Sequence, residues 1–291
     1  MKRIVVFCVL TFALTWGLIF GYMALGDTQD QIQMTFVFAA CMLIPAICTL
    51  ITRVVTREGF RDMKLGLNIK HRPMIYVGAW FLPCVLISFG AVTYFLIFPG
   101  NFDPNLSMLR ETAGDGAVAM LLLSLGTAVF LSPILNAITC LGEELGWRGY
   151  LQPHLIKKMK PIPAALITSV IWGLWHAPMI ALGHNYGVGY PGFPWVGIGA
   201  MVVFCVVLGL FLGYMSYAVG NVWPAVIGHG AINAFAGISI FFSKNDPSPF
   251  IGPLPVGIIG GVGLIAAGLV SYFLLKKEPA PEWEPEAEAE A

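Results

Sequence analysis

Ionisable side chains are scarce in the second half of this 291-residue chain, and from Pro161 to Ser243 there is no Asp, Glu, Lys or Arg. Three short polar groups stand within or beside that stretch. They are Gly142-Glu143-Glu144-Leu145-Gly146-Trp147-Arg148, Trp172-Gly173-Leu174-Trp175-His176 and His229-Gly230-Ala231-Ile232-Asn233. A carboxylate, two imidazoles and a carboxamide make a set suited to amide hydrolysis. Glu143 could act as general base toward a water molecule, with His176 holding the same water. His229 and Asn233 could hydrogen-bond the oxyanion of the tetrahedral intermediate. No Ser or Cys lies helically adjacent to a histidine in these segments, so a covalent nucleophile is not indicated. Glu143, His176 and His229 would also make a His2Glu zinc set, but the helix-borne HExxH signature is absent. The preferred reading has neither metal nor cofactor, and zinc is the alternative.

Helical spacing supports convergence. His229 and Asn233 are i,i+4 and share a face, as do Trp172 and His176, and Glu144 and Arg148 stand in the Glu-first order of a helical ion pair. Small residues flank His229 (Gly228, Gly230, Ala231, Ala234, Gly237) and permit close helix approach. At the helical rise of about 1.5 Å per residue, Glu143 lies roughly 21 Å from the Lys157 cluster, and His176 roughly 21 Å from Ile162. Structural roles compete with catalytic ones: Glu144–Arg148 as a clamp, Glu143 as a helix-end carboxylate reaching water, and each histidine as an interhelical strut. His71 and His154, beside basic residues at loop edges, are expected in solvent. His184 and Asn185 fall in a glycine-rich loop expected on the wrong side of the membrane for the site.

The elements that must hold these residues are membrane helices. Hydrophobic residues make up 57% of the chain and charged ones 11%, against about 25% charged in ordinary soluble domains, so most of the surface must face lipid. Lys+Arg and Asp+Glu balance at 16 each, which leaves no basic footprint for nucleic acid. The six cysteines form no CxxC pair, so neither a disulfide framework nor a thiolate zinc site is suggested. Eight stretches reach the length of a span: 4–25, 32–51, 74–98, 117–142, 162–182, 196–219, 222–242 and 254–275. The first is too long for a signal-peptide core and is read as a retained helix. The expected fold is all-α, a polytopic bundle of about eight transmembrane helices over residues 1–277. Residues 278–291, rich in Pro, Ala and Glu, are expected to form a disordered acidic cytoplasmic tail. Lys and Arg concentrate in the termini and in the loops after the second and fourth spans, which places both termini in the cytoplasm.

With their spacing and order on successive helices, the three polar groups resemble the EExxxR, FxxxH and HxxxN motifs of the type II CAAX prenyl endopeptidase family, also called Abi or CPBP. They read here as Glu143-Glu144-x-x-x-Arg148, Trp172-x-x-x-His176 and His229-x-x-x-Asn233. The family core would span about 115–245. The resemblance implies a metal-independent glutamate protease in which Glu143 and His176 activate water, His229 and Asn233 form the oxyanion hole, and Glu144 and Arg148 support the site. Trp172 replaces the usual Phe, a change expected to keep an aromatic wall and to affect the chemistry little.

The functional expectation is an intramembrane endopeptidase acting on a lipidated protein or peptide substrate that enters from the cytoplasmic or lateral side. Membrane lipids are its other partners. Two rivals use the same polar cavity: a proton-coupled transporter, and a non-catalytic scaffold or immunity protein.

Overall fold

Backbone polar groups cannot stay unpaired in lipid, so a chain this apolar must close its hydrogen bonds within helices. The computed structural model describes residues 1–278, and the tail residues 279–291 lie outside them. The principal helices are α1 (Lys2–Leu25), α2 (Gln31–Val55), α3 (Pro73–Ile97), α4 (Ser107–Leu135), α5 (137–156), α6 (Pro161–Ala181), α7 (Trp195–Val219), α8 (Trp223–Phe242) and α9 (Val262–Lys277). Among the described residues the only β pairing is the isolated bridge between Phe102 and Ser243.

Among the described residues, seven helices are long and apolar enough to cross a membrane: α1 to α4 and α6 to α8. The chain is therefore a polytopic helical bundle, with two departures from the expected eight spans. The eighth stretch, 254–275, is helical only from Val262, because Pro253, Pro255 and the glycines that follow hold 252–261 in turns. Its 16 residues fall short of a full span.

The fourth stretch, 117–142, is two helices. Pro133 has no N–H to bond the carbonyl of Val129, which instead accepts from Trp80 Nε1 at 2.7 Å. The turn before it, Thr127–Leu131, is a π-helix. The chain then breaks at Asn136, whose Nδ2 donates to the carbonyl of Gly230 at 3.2 Å, and α5 begins anew. α5 lies against α2 so closely that a Cβ on Gly142 would meet Met42 O, and one on Gly146 would meet Pro45, at 2.5 Å. These glycines let the Glu143 helix seat on its neighbour.

The loops sort to two ends. At the basic end Arg3 pairs with Glu58 (3.7 Å), Lys157 with Asp62 (3.9 Å), and Val222 N bonds Lys64 O (3.0 Å). The α7–α8 hairpin turns here through Gly220 in the left-handed conformation (φ 78°) and Asn221, which caps Trp223 N. At the opposite end Asp103 N bonds Phe242 O (2.8 Å), and Tyr186 stacks on Phe250 (5.0 Å).

Candidate active site

α5 presents Glu143 and Glu144 as neighbours with unlike surroundings. Both are buried. Glu143 Oε2 accepts from Trp172 Nε1 at 2.7 Å and lies 3.4 Å from Trp147 Nε1. Among the described residues no cation stands at ion-pair distance from it. Glu144 is held by charge: Arg148 Nη1 donates to both its oxygens (2.9 and 3.0 Å), and His229 Nδ1 lies 2.8 Å from Oε1. Arg148 in turn sits over the Trp172 ring, its Cζ 4.4 Å from the centroid. The π-helical turn Trp147–Leu151 that follows belongs to the class of local distortions frequent at functional sites.

His176 occupies the break in α6 before Pro178, where the ladder cannot continue. Its Nδ1 lies 2.9 Å from Trp172 O. A carbonyl only accepts, so Nδ1 carries the hydrogen, and Nε2 of the neutral ring is left as an acceptor. Applied to His229, whose Nδ1 donates to a carboxylate, the same reasoning lets Nε2 donate only when the ring is an imidazolium.

The four residues expected to do chemistry, Glu143, His176, His229 and Asn233, line one cavity of about 280 Å³, together with Trp172. Three are buried, and Asn233 is exposed, with its Nδ2 3.8 Å from Cys140 Sγ. Glu144 and Arg148 lie directly behind the cavity wall as the clamp that orients His229.

Three expectations need correction. Trp172 is more than an aromatic wall: its indole N–H bonds the carboxylate of Glu143, which the Phe of the family motif could not do. His184 and Asn185 are not remote from the site. Left-handed turns at Gly183, Asn185 and Gly187 fold their loop back into the bundle, so both residues line the cavity and the His184 ring stacks parallel to His176 (6.2 Å, 1°). His154 is not in solvent. It is buried, with Nε2 2.7 Å from Glu58 Oε1, and Glu58 also accepts from Tyr150 (3.0 Å). Burial alone would raise the Glu58 pKa, but the bond to His154 and the charges of His154 and Arg53 outweigh it and hold the carboxyl down at about 2. His71 is exposed as expected.

Fold and site together define an integral membrane protein that buries a charge-clamped imidazole and an unpaired carboxylate around an internal cavity. Residues 119–235 match the family model described as Type II CAAX prenyl endopeptidase Rce1-like. A protein named CAAX prenyl protease 2 from Methanococcus maripaludis is 27% identical over 190 residues, covering 60% of this chain and 62% of that protein. The chain thus spans under two thirds of the relative's length. The resemblance drawn from the three motifs is thereby shown, and the matched segment contains all seven residues expected at the site.

Proposed function

We propose that this protein is a CAAX-prenyl-protease-like intramembrane endopeptidase that hydrolyses a peptide bond with water activated by Glu143 and His176. The observation that carries the reading is the meeting of Glu143, His176, His229 and Asn233, from three separate helices, around one cavity. Glu143 takes a proton from the water as it attacks the scissile carbonyl, while Nε2 of His176 accepts the water's other hydrogen bond. Placed general bases of this kind typically contribute about 10²–10⁴ in rate. His229, as an imidazolium held by Glu144, donates from Nε2 to the oxyanion, and Asn233 donates from Nδ2. One such donor is typically worth about 3 kcal/mol. Glu143 then passes its proton to the leaving amine.

No metal takes part in this mechanism. Substrates of the prenylated CAAX or small-peptide class fit a cavity walled by Phe38, Met42, Met179, Met201 and Phe204. Both termini face the cytoplasm: the 252–261 turns and α9 together carry the chain back to the basic end, where Glu278 pairs with Arg72, and of the 16 Lys and Arg only Arg110 and Lys244 lie at the opposite end, with Arg148 within the bundle.

The test is cleavage of a fluorogenic prenylated peptide by the purified protein in detergent. Glu143→Gln should lower turnover by at least roughly 10²-fold, and chelators should leave the wild type unchanged. Equal turnover in the variant overturns the assignment. Loss with a chelator and recovery with Zn²⁺ would establish the zinc alternative instead.

A further inference from the structure

Behind the cavity wall a second polar run leads away from the site. Glu144, Arg148 and Gln152 stand four residues apart along α5, and the last two meet a bare face of α7. A Cβ on Gly209 would come within 3.3 Å of Arg148 Nη2, and one on Gly213 within 2.8 Å of Gln152 Oε1. Arg148, Gln152 and Ser216 line a small crevice that continues to Lys64, Gly220 and Asn221 at the basic end. It leaves about 10 Å³ open to the centre of a water molecule, the space of a single water.

The lining asks for such a partner. Arg148 uses Nη1 on Glu144. Its Nε and Nη2, together with Gln152 Oε1 and Ser216 Oγ, are buried without a hydrogen-bond partner among the described residues. All three residues are at most 5% exposed. A buried donor or acceptor left unpaired costs more than a made bond gains, and four such atoms on one small space are the lining of a hydrated site.

The same atoms select the occupant. Gln152 Nε2 donates to the carbonyl of Gly213 at 3.3 Å, so Oε1 remains as an acceptor. Guanidinium N–H groups only donate, and a hydroxyl does either. Water accepts from Arg148 while donating to Gln152, with Ser216 as its third partner. A small anion would suit Arg148 but would face the lone pairs of Oε1.

Such a contact gives the clamp a second anchor. Arg148 holds both oxygens of Glu144 through Nη1 alone, so the pair lacks the two-nitrogen fork that fixes a guanidinium. A bond on the Nε–Nη2 edge stops the group from swinging about Nη1. Glu144, and through it His229, is then held in one orientation.

We propose that this crevice is a water site built into the bundle, in which one buried water ties Arg148 to Gln152 and Ser216 and makes those two positioning residues for the Arg148–Glu144–His229 clamp. The positioning role rests on the endopeptidase reading; the water site does not.

The direct test is an experimental map of the full chain at a resolution that shows ordered waters elsewhere in the bundle. It should show a peak within hydrogen-bond distance of Gln152 Oε1, Ser216 Oγ and the Nε–Nη2 edge of Arg148. An empty crevice, or Arg148 bonded directly to Gln152, overturns the proposal. So does an anomalous bromide signal at that point in crystals grown with bromide, which would make the occupant an anion. The positioning role is read from cleavage of a prenylated peptide. Ser216→Val fills the space, so kcat should fall roughly tenfold with KM unchanged, because nothing in the crevice touches substrate. Ser216→Ala keeps the space and removes one partner, so its loss should be smaller. Unchanged kcat in Ser216→Val, a raised KM, or an equal loss in Ser216→Ala overturns the positioning role. If Ser216→Val does not fold, Gln152→Met, which deletes the acceptor at similar volume, supplies the same readout from α5. Absence of cleavage by the wild type even in detergent defeats the endopeptidase reading, while the map still decides the water site.

Discussion

Two clusters in this molecule are built from nearly the same parts. At the basic end Glu58 bonds His154, with Arg53 3.7 Å away and Arg53 Cζ 5.4 Å from the Tyr150 ring centroid. Inside the bundle Glu144 bonds His229 and Arg148, and Arg148 lies over Trp172. Each is a carboxylate shared by an imidazole and a guanidinium under an aromatic ring. Only the second has an adjoining carboxylate, Glu143, that receives indole N–H donors and no cation, and only the second has a cavity in front of its imidazole. A buried Glu-His-Arg cluster is thus a structural device in this fold. What sets the interior copy apart, and what the proposed site rests on, is the carboxylate without a cation beside open space.

The largest effect expected from breaking this parallel is on stability. Arg148→Ala leaves Glu144 buried without its strongest partner, and removing one member of a buried pair typically costs about 3–5 kcal/mol. Because Arg148 and Glu144 side chains are both fully shielded while Glu58 retains 11% exposure, water can relieve a broken Glu58 cluster but not a broken Glu144 one. Unfolding in mixed micelles should therefore rank Arg148→Ala well below Glu58→Gln. The reverse order would mean that the interior pair is not the clamp it resembles.

The interior cluster was legible in the sequence because a charge in a membrane helix is expensive and so conspicuous. Glu144–Arg148 and His229–Asn233 also carry their own i,i+4 geometry. The rim cluster was not legible: Glu58 and His154 are 96 residues apart, and both sit among basic residues that read as a solvated loop. The helices themselves followed from apolar length. The break at Asn136 did not, because it depends on Trp80 and Gly230, which only the packed bundle brings to α4 and α5. His184 was misplaced for the same kind of reason. A glycine-rich loop reads as an excursion into water, and its return into the cavity rests on left-handed turns and on Tyr186 stacking against Phe250. The motif spacing pointed to Trp172 but could not give its N–H a partner.

That N–H offers a finer test of what separates the two carboxylates of α5. Trp172→Phe keeps a ring beneath Arg148 and deletes only the 2.7 Å bond to Glu143. Hydrogen bonds to charged groups are worth about 1.5–3 kcal/mol. Trp147 remains as a longer donor at 3.4 Å, so the low end applies, a fall in kcat of roughly tenfold. A positioning role predicts that kcat falls and KM does not, whereas a lost wall of the cavity would raise KM. Unchanged kcat would leave Trp172 as packing alone.

The smallest effect belongs to the rim, and it should appear in stability without touching turnover. Glu58 sits at about 2 in the folded protein against an ordinary value of 4.5. A carboxyl with a depressed folded pKa stabilises fully above the unfolded value, and the contribution disappears as pH falls through the folded one. The wild type should accordingly lose stability between about pH 4.5 and 2, and Glu58→Gln should lack that share of the slope while starting lower at neutral pH. At neutral pH its turnover should match the wild type, since His154 and Arg53 lie at the end of the bundle away from the cavity. If Glu58→Gln instead slowed hydrolysis as much as Trp172→Phe, the two clusters would be coupled along α5, and the division between a structural rim and a chemical interior would fail.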